Sequence, residues 1–208
     1  MTFPSPISSR SLIALLLPAM MLAGCDRQSG NAGQDNAATP GEVTSGEVQA
    51  EAATGAPAKY VIDKSKAGEP MPDFAFTDAQ GKDVTLEKFV GKPVLVNLWA
   101  TWCAPCVAEM PQLDAIAGTY AKDGLQVLTI SQDSMGAEKV VPFFKAKGFK
   151  NIEPWLDPEN RFAFHFGGGV LPASVLYDAQ GKEVARVTGA LDWEVDEAAA
   201  LLEQTVGG

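Results

Sequence analysis

Apolar and polar positions along the second half of this chain alternate between two periods. Residues 93–99 (PVLVNLW) are almost continuously apolar, the pattern of a central strand covered on both faces. Over 104–120, Val107, Met110, Leu113, Ile116 and Ala117 recur at helical spacing, and the run closes near Gly124. Pro111 falls inside that segment and predicts a kink. A second buried strand is expected over 125–130, then a helix over 137–147 that Pro142 should interrupt or delay. Upstream, residues 74–76 and 83–85 flank the turn DAQG and read as a β-hairpin. Downstream, 174–178 and 183–188 form a second hairpin around Ala179-Gln180-Gly181. Asp192 is expected to cap a last helix over 193–205, with Glu194, Asp196 and Glu197 in its first turn, where acids are favoured. His165 and the three glycines 167–169 read as a flexible loop. The order describes an α/β domain, a mixed central sheet with helices on both faces and a hairpin at its N-terminal side.

The N-terminal quarter follows other rules. Residues 1–24 carry one charge, Arg10, ahead of the apolar run 12–22, which is short for a membrane span and fits a secretory signal. The run ends in Leu22-Ala23-Gly24-Cys25, which resembles the bacterial lipobox, so cleavage before Cys25 and a lipid on its sulfur are expected. Asp26 resembles an inner-membrane retention signal of enterobacterial lipoproteins. Residues 26–59 hold few large apolar side chains and bury too little to fold. As a flexible tether this stretch would span roughly 30 Å on average, and roughly 115 Å at full extension. Three parts are therefore expected: a signal peptide (1–24), Cys25 with its tether (25–59), and one domain (60–208), read here as a monomer.

Charge narrows the function. The chain carries a net −10 and has no basic cluster to displace phosphate counterions, which excludes nucleic acid. Acidity gives no help in approaching anionic lipid either, leaving that to the anchor.

The chemistry sits in Trp102-Cys103-Ala104-Pro105-Cys106, two thiols at a junction between strand and helix. Free backbone N–H groups and the positive end of the helix dipole favour an anion there, and the thiolate is the form that attacks disulfides. Of three cysteines, acylation accounts for Cys25 and leaves Cys103 and Cys106 as the pair. Closing so short a loop removes little entropy from the unfolded chain, which argues against a structural staple. Zinc needs four ligands, and a single histidine, His165, is present to join the two thiols, so no metal and no cofactor is expected.

Several motifs together resemble the TlpA/ResA/CcmG branch of the thioredoxin superfamily, membrane-tethered bacterial thiol:disulfide oxidoreductases. They are PMPDF at 70–74, GKPVLVNLWATWC at 91–103, Glu109-Met110-Pro111, and GVLP at 169–172. The resemblance implies a thioredoxin-like fold and a protein-disulfide reductase. By that resemblance Cys103 is the nucleophile and Cys106 the resolving thiol, the two forming the redox-active disulfide. Pro172 is a cis-proline, and Leu171 offers its backbone to a substrate strand. Trp102 shapes the contact surface beside the sulfur. Glu109 influences the proton chemistry of the pair, the more so because Asn97 stands where general thioredoxins carry a buried aspartate. Ala173 departs from the threonine common after the proline, and Ala104, in place of the histidine of oxidising relatives, leans towards a reductant. Implied partners are exported disulfide- or thiol-containing proteins, such as cytochrome c maturation or oxidase copper-site clients, with a membrane electron donor. The expected location is the periplasm, held to the membrane by lipid on Cys25, the inner membrane favoured. Two alternatives stay open. One is a thioredoxin-like chaperone that binds metal or apoprotein without turnover, since Cys-x-x-Cys suits Cu(I). The other is a peroxiredoxin-like peroxidase, although Thr101 lies two residues before Cys103 rather than three.

Overall fold

The computed structural model describes residues 60–208; the signal peptide, Cys25 and the tether lie outside the described residues. The strands are β1 (Tyr60–Asp63), β2 (Ala75–Thr77), β3 (Asp83–Thr85), β4 (Val94–Trp99), β5 (Gln126–Ser131), β6 (Trp155–Leu156), β7 (Ala173–Tyr177) and β8 (Glu183–Gly189). The helices are α1 (Ala104–Thr119), α2 (Ala137–Lys147), α3 (Arg161–Gly167) and α4 (Asp196–Val206). One mixed sheet runs β1-β8-β7-β4-β5-β6-β2-β3, with β4, β5 and β6 parallel and the other neighbours antiparallel.

The continuous apolar run of β4 serves both faces of the sheet. Leu95 and Trp99 point into a core shared with Met110 and Leu113 of α1, Val140 and Phe144 of α2, and Leu201 of α4. Val94, Val96 and Leu98 point the other way, into a core built with Phe162 and Phe166 of α3 and Phe76 and Val84 of the β2–β3 hairpin. Helices thus cover both faces, which is why the strand has no polar side apart from Asn97.

Three local expectations are corrected. The helix α1 carries Pro111 within it, as expected, whereas α2 runs from Ala137 through Pro142 without interruption, held by tertiary contacts of Val140 and Phe144. Asp192 does not cap α4: that helix starts at Asp196 behind Val195, and the Asp192 carboxylate instead accepts from Gln112 Nε2 at 2.9 Å and the Glu194 N–H at 3.1 Å. His165 lies on α3 rather than in a loop, because Phe162 and Phe166, one turn apart, are both buried and the Asp157 carboxylate accepts the Phe162 N–H at 2.9 Å.

Candidate active site

β4 ends at Trp99, and the chain turns over four residues into α1. Thr101 fixes the turn: its N–H and hydroxyl donate to the Asp133 carboxylate at 2.8 and 2.6 Å, and the Ser131 hydroxyl donates to the same carboxylate at 2.8 Å. Asp133 is buried at the end of β5, so the two parallel strands jointly hold the residues that lead to Cys103. No feature of the sequence around Cys103 pointed to Asp133, which lies 32 residues away from the hydroxyl it binds.

Cys103 is the N-cap residue of α1, with extended backbone, and Pro105 occupies the first turn, where its missing N–H costs nothing. Its sulfur is joined to that of Cys106 in a disulfide, with Cα atoms 5.3 Å apart, and accepts the Cys106 N–H at 3.4 Å. A donor of that kind, with the helix dipole behind it, favours negative charge on Cys103 once the bond is reduced. Cys103 keeps 6% of its surface exposed and Cys106 none, so a second sulfur can approach only the first.

Trp102, beside the pair, is 70% exposed. Ala173 pairs with Leu98 in the β4–β7 ladder, which sets Pro172 beside the end of β4 and the turn to Cys103. The Leu171–Pro172 peptide is cis, and among the described residues neither the N–H nor the carbonyl of Leu171 has a backbone partner. The Leu171 side chain packs against the core that contains both cysteines.

Glu109 lies on α1, one turn past Cys106, and points inward with 5% exposure. Burial pushes its carboxyl up to about 8, opposed less strongly by nearby donors, the Asn97 amide among them. Asn97 Nδ2 donates to Glu109 Oε2, while Glu109 Oε1, Asn97 Oδ1 and Trp193 Nε1 are buried without hydrogen-bond partners. The carboxyl therefore titrates near neutral pH, at a position three residues past Cys106 on the same helix. The structure thus brings together Cys103, Cys106, Trp102, Leu171, Pro172 and Glu109, and adds Asp133, Asn97 and Ser174.

A mixed sheet whose first long helix begins with a capping Cys-x-x-Cys defines the class, the thioredoxin-like thiol:disulfide oxidoreductases. The Redoxin family model matches residues 66–202. The chain is 32% identical over 127 residues to the thiol-disulfide oxidoreductase ResA of Bacillus anthracis, covering 61% of this chain and 72% of that protein. It is 31% identical over 129 residues to ResA of Geobacillus thermodenitrificans, with the same coverage. Among solved structures it resembles the exposed lipoprotein thioredoxin Etrx1 of Streptococcus pneumoniae, with a TM-score of 0.54 and 26% identity over 64% of this chain and 99% of that one. It also resembles a thioredoxin-family thiol:disulfide interchange protein of Chlorobium tepidum, with a TM-score of 0.55 and 26% identity over 67% of this chain and 97% of that one. The chain belongs to the Redoxin family and, within the thioredoxin superfamily, to the ResA/CcmG-like branch of thiol:disulfide oxidoreductases.

Proposed function

We propose that this chain is an exported, membrane-tethered disulfide reductase acting through the dithiol of Cys103 and Cys106 on exported partner proteins, cytochrome c maturation or oxidase copper-site clients among them. The observation that carries the reading is the unequal exposure of the two sulfurs at a helix N-terminus. In the reduced protein the Cys103 thiolate attacks one sulfur of the client disulfide. A mixed disulfide forms and one client thiolate leaves. Cys106, having lost its proton towards Glu109, attacks the Cys103 sulfur and expels the second client thiolate. The client gains two electrons and the protein ends as the disulfide, which an upstream dithiol, here a membrane donor, must reduce again.

Tethering through Cys25 is supported by the lipobox-like sequence and by likeness to an exposed lipoprotein thioredoxin. The place where the chain enters the domain fits. Tyr60 pairs with Gly189, whose N–H donates to the Pro172 carbonyl at 2.9 Å. The first strand therefore begins two strand spacings, roughly 10 Å, from Pro172. A flexible tether ahead of Tyr60 would keep this end of the sheet within reach of the membrane and a donor there without fixing the domain's orientation.

Insulin reduction by the purified protein with dithiothreitol tests the mechanism. Cys103→Ser should abolish it, and unchanged activity in that variant overturns the mechanism. Cys106→Ser should trap mixed disulfides in cells. Failure to trap any favours a binding module without turnover, and peroxide consumption at a normal enzymatic rate favours a peroxidase.

A further inference from the structure

Among the described residues eight large apolar side chains are exposed, and five of them lie at one end of the sheet: Trp102, Met135, Phe164, Val170 and Val195. Topology places them there. Trp102 follows the C-terminal end of β4, Met135 that of β5 and Val195 that of β8, whereas Val170 precedes the start of β7, which runs antiparallel to β4. Phe164 is 69% exposed on α3 and joins the group by contact, because a Cβ placed on Gly169 would meet its ring at 3.4 Å. Gly169, with φ +88°, is thus a platform under the ring as well as a turn residue.

Close to the disulfide this end also lacks exposed acids, lysines and arginines. The stretches 101–108, 132–136 and 164–173 hold one ionisable acid, Asp133, which is buried and satisfied, and one histidine, on a chain of net −10, whereas the exposed acids of this end, Asp192, Glu194 and Asp196, belong to the segment that carries Val195. An acidic protein that leaves the stretches around Cys103, Phe164 and Val170 apolar presents them to an apolar partner surface.

We propose that Phe164 and Val170, beside the Leu171–Pro172 loop, form a specificity subsite for an extended client segment bearing an apolar or aromatic side chain about three residues from the attacked cysteine. This rests on the disulfide-reductase reading above. The spacing follows from chain length. Gly169, against which the Phe164 ring rests, is three residues before Pro172 and so within roughly 10 Å of it along the loop, a distance an extended client covers in about three residues. The occupant is a partner strand because the Leu171 N–H and carbonyl are free to pair with one and its cystine has to reach Cys103. Loop direction is fixed, so the subsite reads one side of the client cysteine and not the other.

The test is a single-turnover measurement with protein reduced by dithiothreitol and then desalted, the protein itself supplying both electrons. Three disulfide-closed peptides serve as substrates, with phenylalanine three residues before the reacting cysteine, three residues after it, or replaced by serine. One phenylalanine placement should react about fivefold to tenfold faster than serine, and the other within about twofold. Phe164→Ser should bring the favoured ratio close to one, Val170→Ser should lower it, and Phe164→Leu should keep most of it. No preference in the unsubstituted protein, or a preference that survives Phe164→Ser, overturns the subsite and leaves the reductase standing. Turnover of none of the peptides overturns both.

Discussion

Asn97 Nδ2 donates to Glu109 Oε2 at 3.4 Å and to Ser174 Oγ at 3.0 Å, tying the central strand, its antiparallel neighbour and the first helix into one buried polar cluster. Asn97 and Ser174 are direct cross-strand partners, so the amide is held in place by the ladder itself. An amide cannot take a proton from the carboxyl, and burial therefore acts on Glu109 undiluted by a second acid.

A pH dependence of stability follows. Glu109 titrates near 4.5 when unperturbed and at about 8 in the folded chain. Between those values the folded state keeps a proton that the unfolded state has released, so stability falls as pH rises. The contribution is complete below 4.5 and is lost as pH passes about 8. Urea midpoints of the disulfide form should fall from pH 5 to pH 8, and Glu109→Gln should flatten that slope. An equal slope in both proteins would place the titrating group elsewhere.

The same substitution separates proton chemistry from packing. Glu109→Gln fills the same volume and keeps a partner for Asn97, so the fold should survive. The rate of disulfide exchange should lose its dependence on a group titrating near 8 and fall by about tenfold to a hundredfold at neutral pH. Stopped-flow exchange across pH 6–9 reads this directly, and an unaltered profile would remove Glu109 from the mechanism.

Asp133 is a positioning residue for the turn into Cys103. Asp133→Ala removes an acceptor of three hydrogen bonds, from the Thr101 N–H, the Thr101 hydroxyl and the Ser131 hydroxyl. The stability loss should be about 2–4 kcal/mol by urea unfolding, with Asp133→Asn losing less. A looser turn also blurs the placement of the sulfur, so the reduction potential should move in Asp133→Ala while a merely global loss of stability would leave it unchanged.

How legible these features were differs by cause. The strands β4 and β5 and the helices α1 and α2 carry long apolar patterns, and their ranges were readable to within a few residues. α3 was not, because seven residues give only one repeat, Phe162 to Phe166, and three glycines follow at once. β6 has two residues and exists through its neighbours. The cysteines were legible from spacing, whereas Glu109 and Pro172 stood out only through family resemblance. Asp133 and Ser174 act across long sequence separations, and nothing local announces such a contact.

Gly118 tests the packing of α1 against the chain that follows α2. A Cβ there would lie 2.9 Å from Asn151 Nδ2, which donates to the Asp114 carbonyl. Gly118→Ala gains about 1 kcal/mol of helix propensity, offset by displacing that amide, so alone it should change stability little. In an Asn151→Ala background the obstruction is gone and the same change should stabilise by about 1 kcal/mol. A double-mutant cycle in urea measures the difference, and additivity would show that the amide moves aside freely.

On the opposite face of the sheet Arg186 and Glu183 form a pair with 13% and 2% side-chain exposure, joined at 2.6 and 2.7 Å, and the guanidinium lies 5.5 Å from the Phe166 ring centre. Both charges have left water, so each is tolerable only with the other present. Glu183→Gln should strand the Arg186 charge and cost about 3–5 kcal/mol, more than any surface ion pair of this protein would. Replacing both, as Glu183→Leu with Arg186→Met, should recover most of that loss, since the neighbours Phe166 and Tyr177 accept apolar side chains. Urea unfolding of the single and double variants decides it. A double variant as unstable as Glu183→Gln would mean that the pair organises β8 through its hydrogen bonds and not merely by mutual neutralisation.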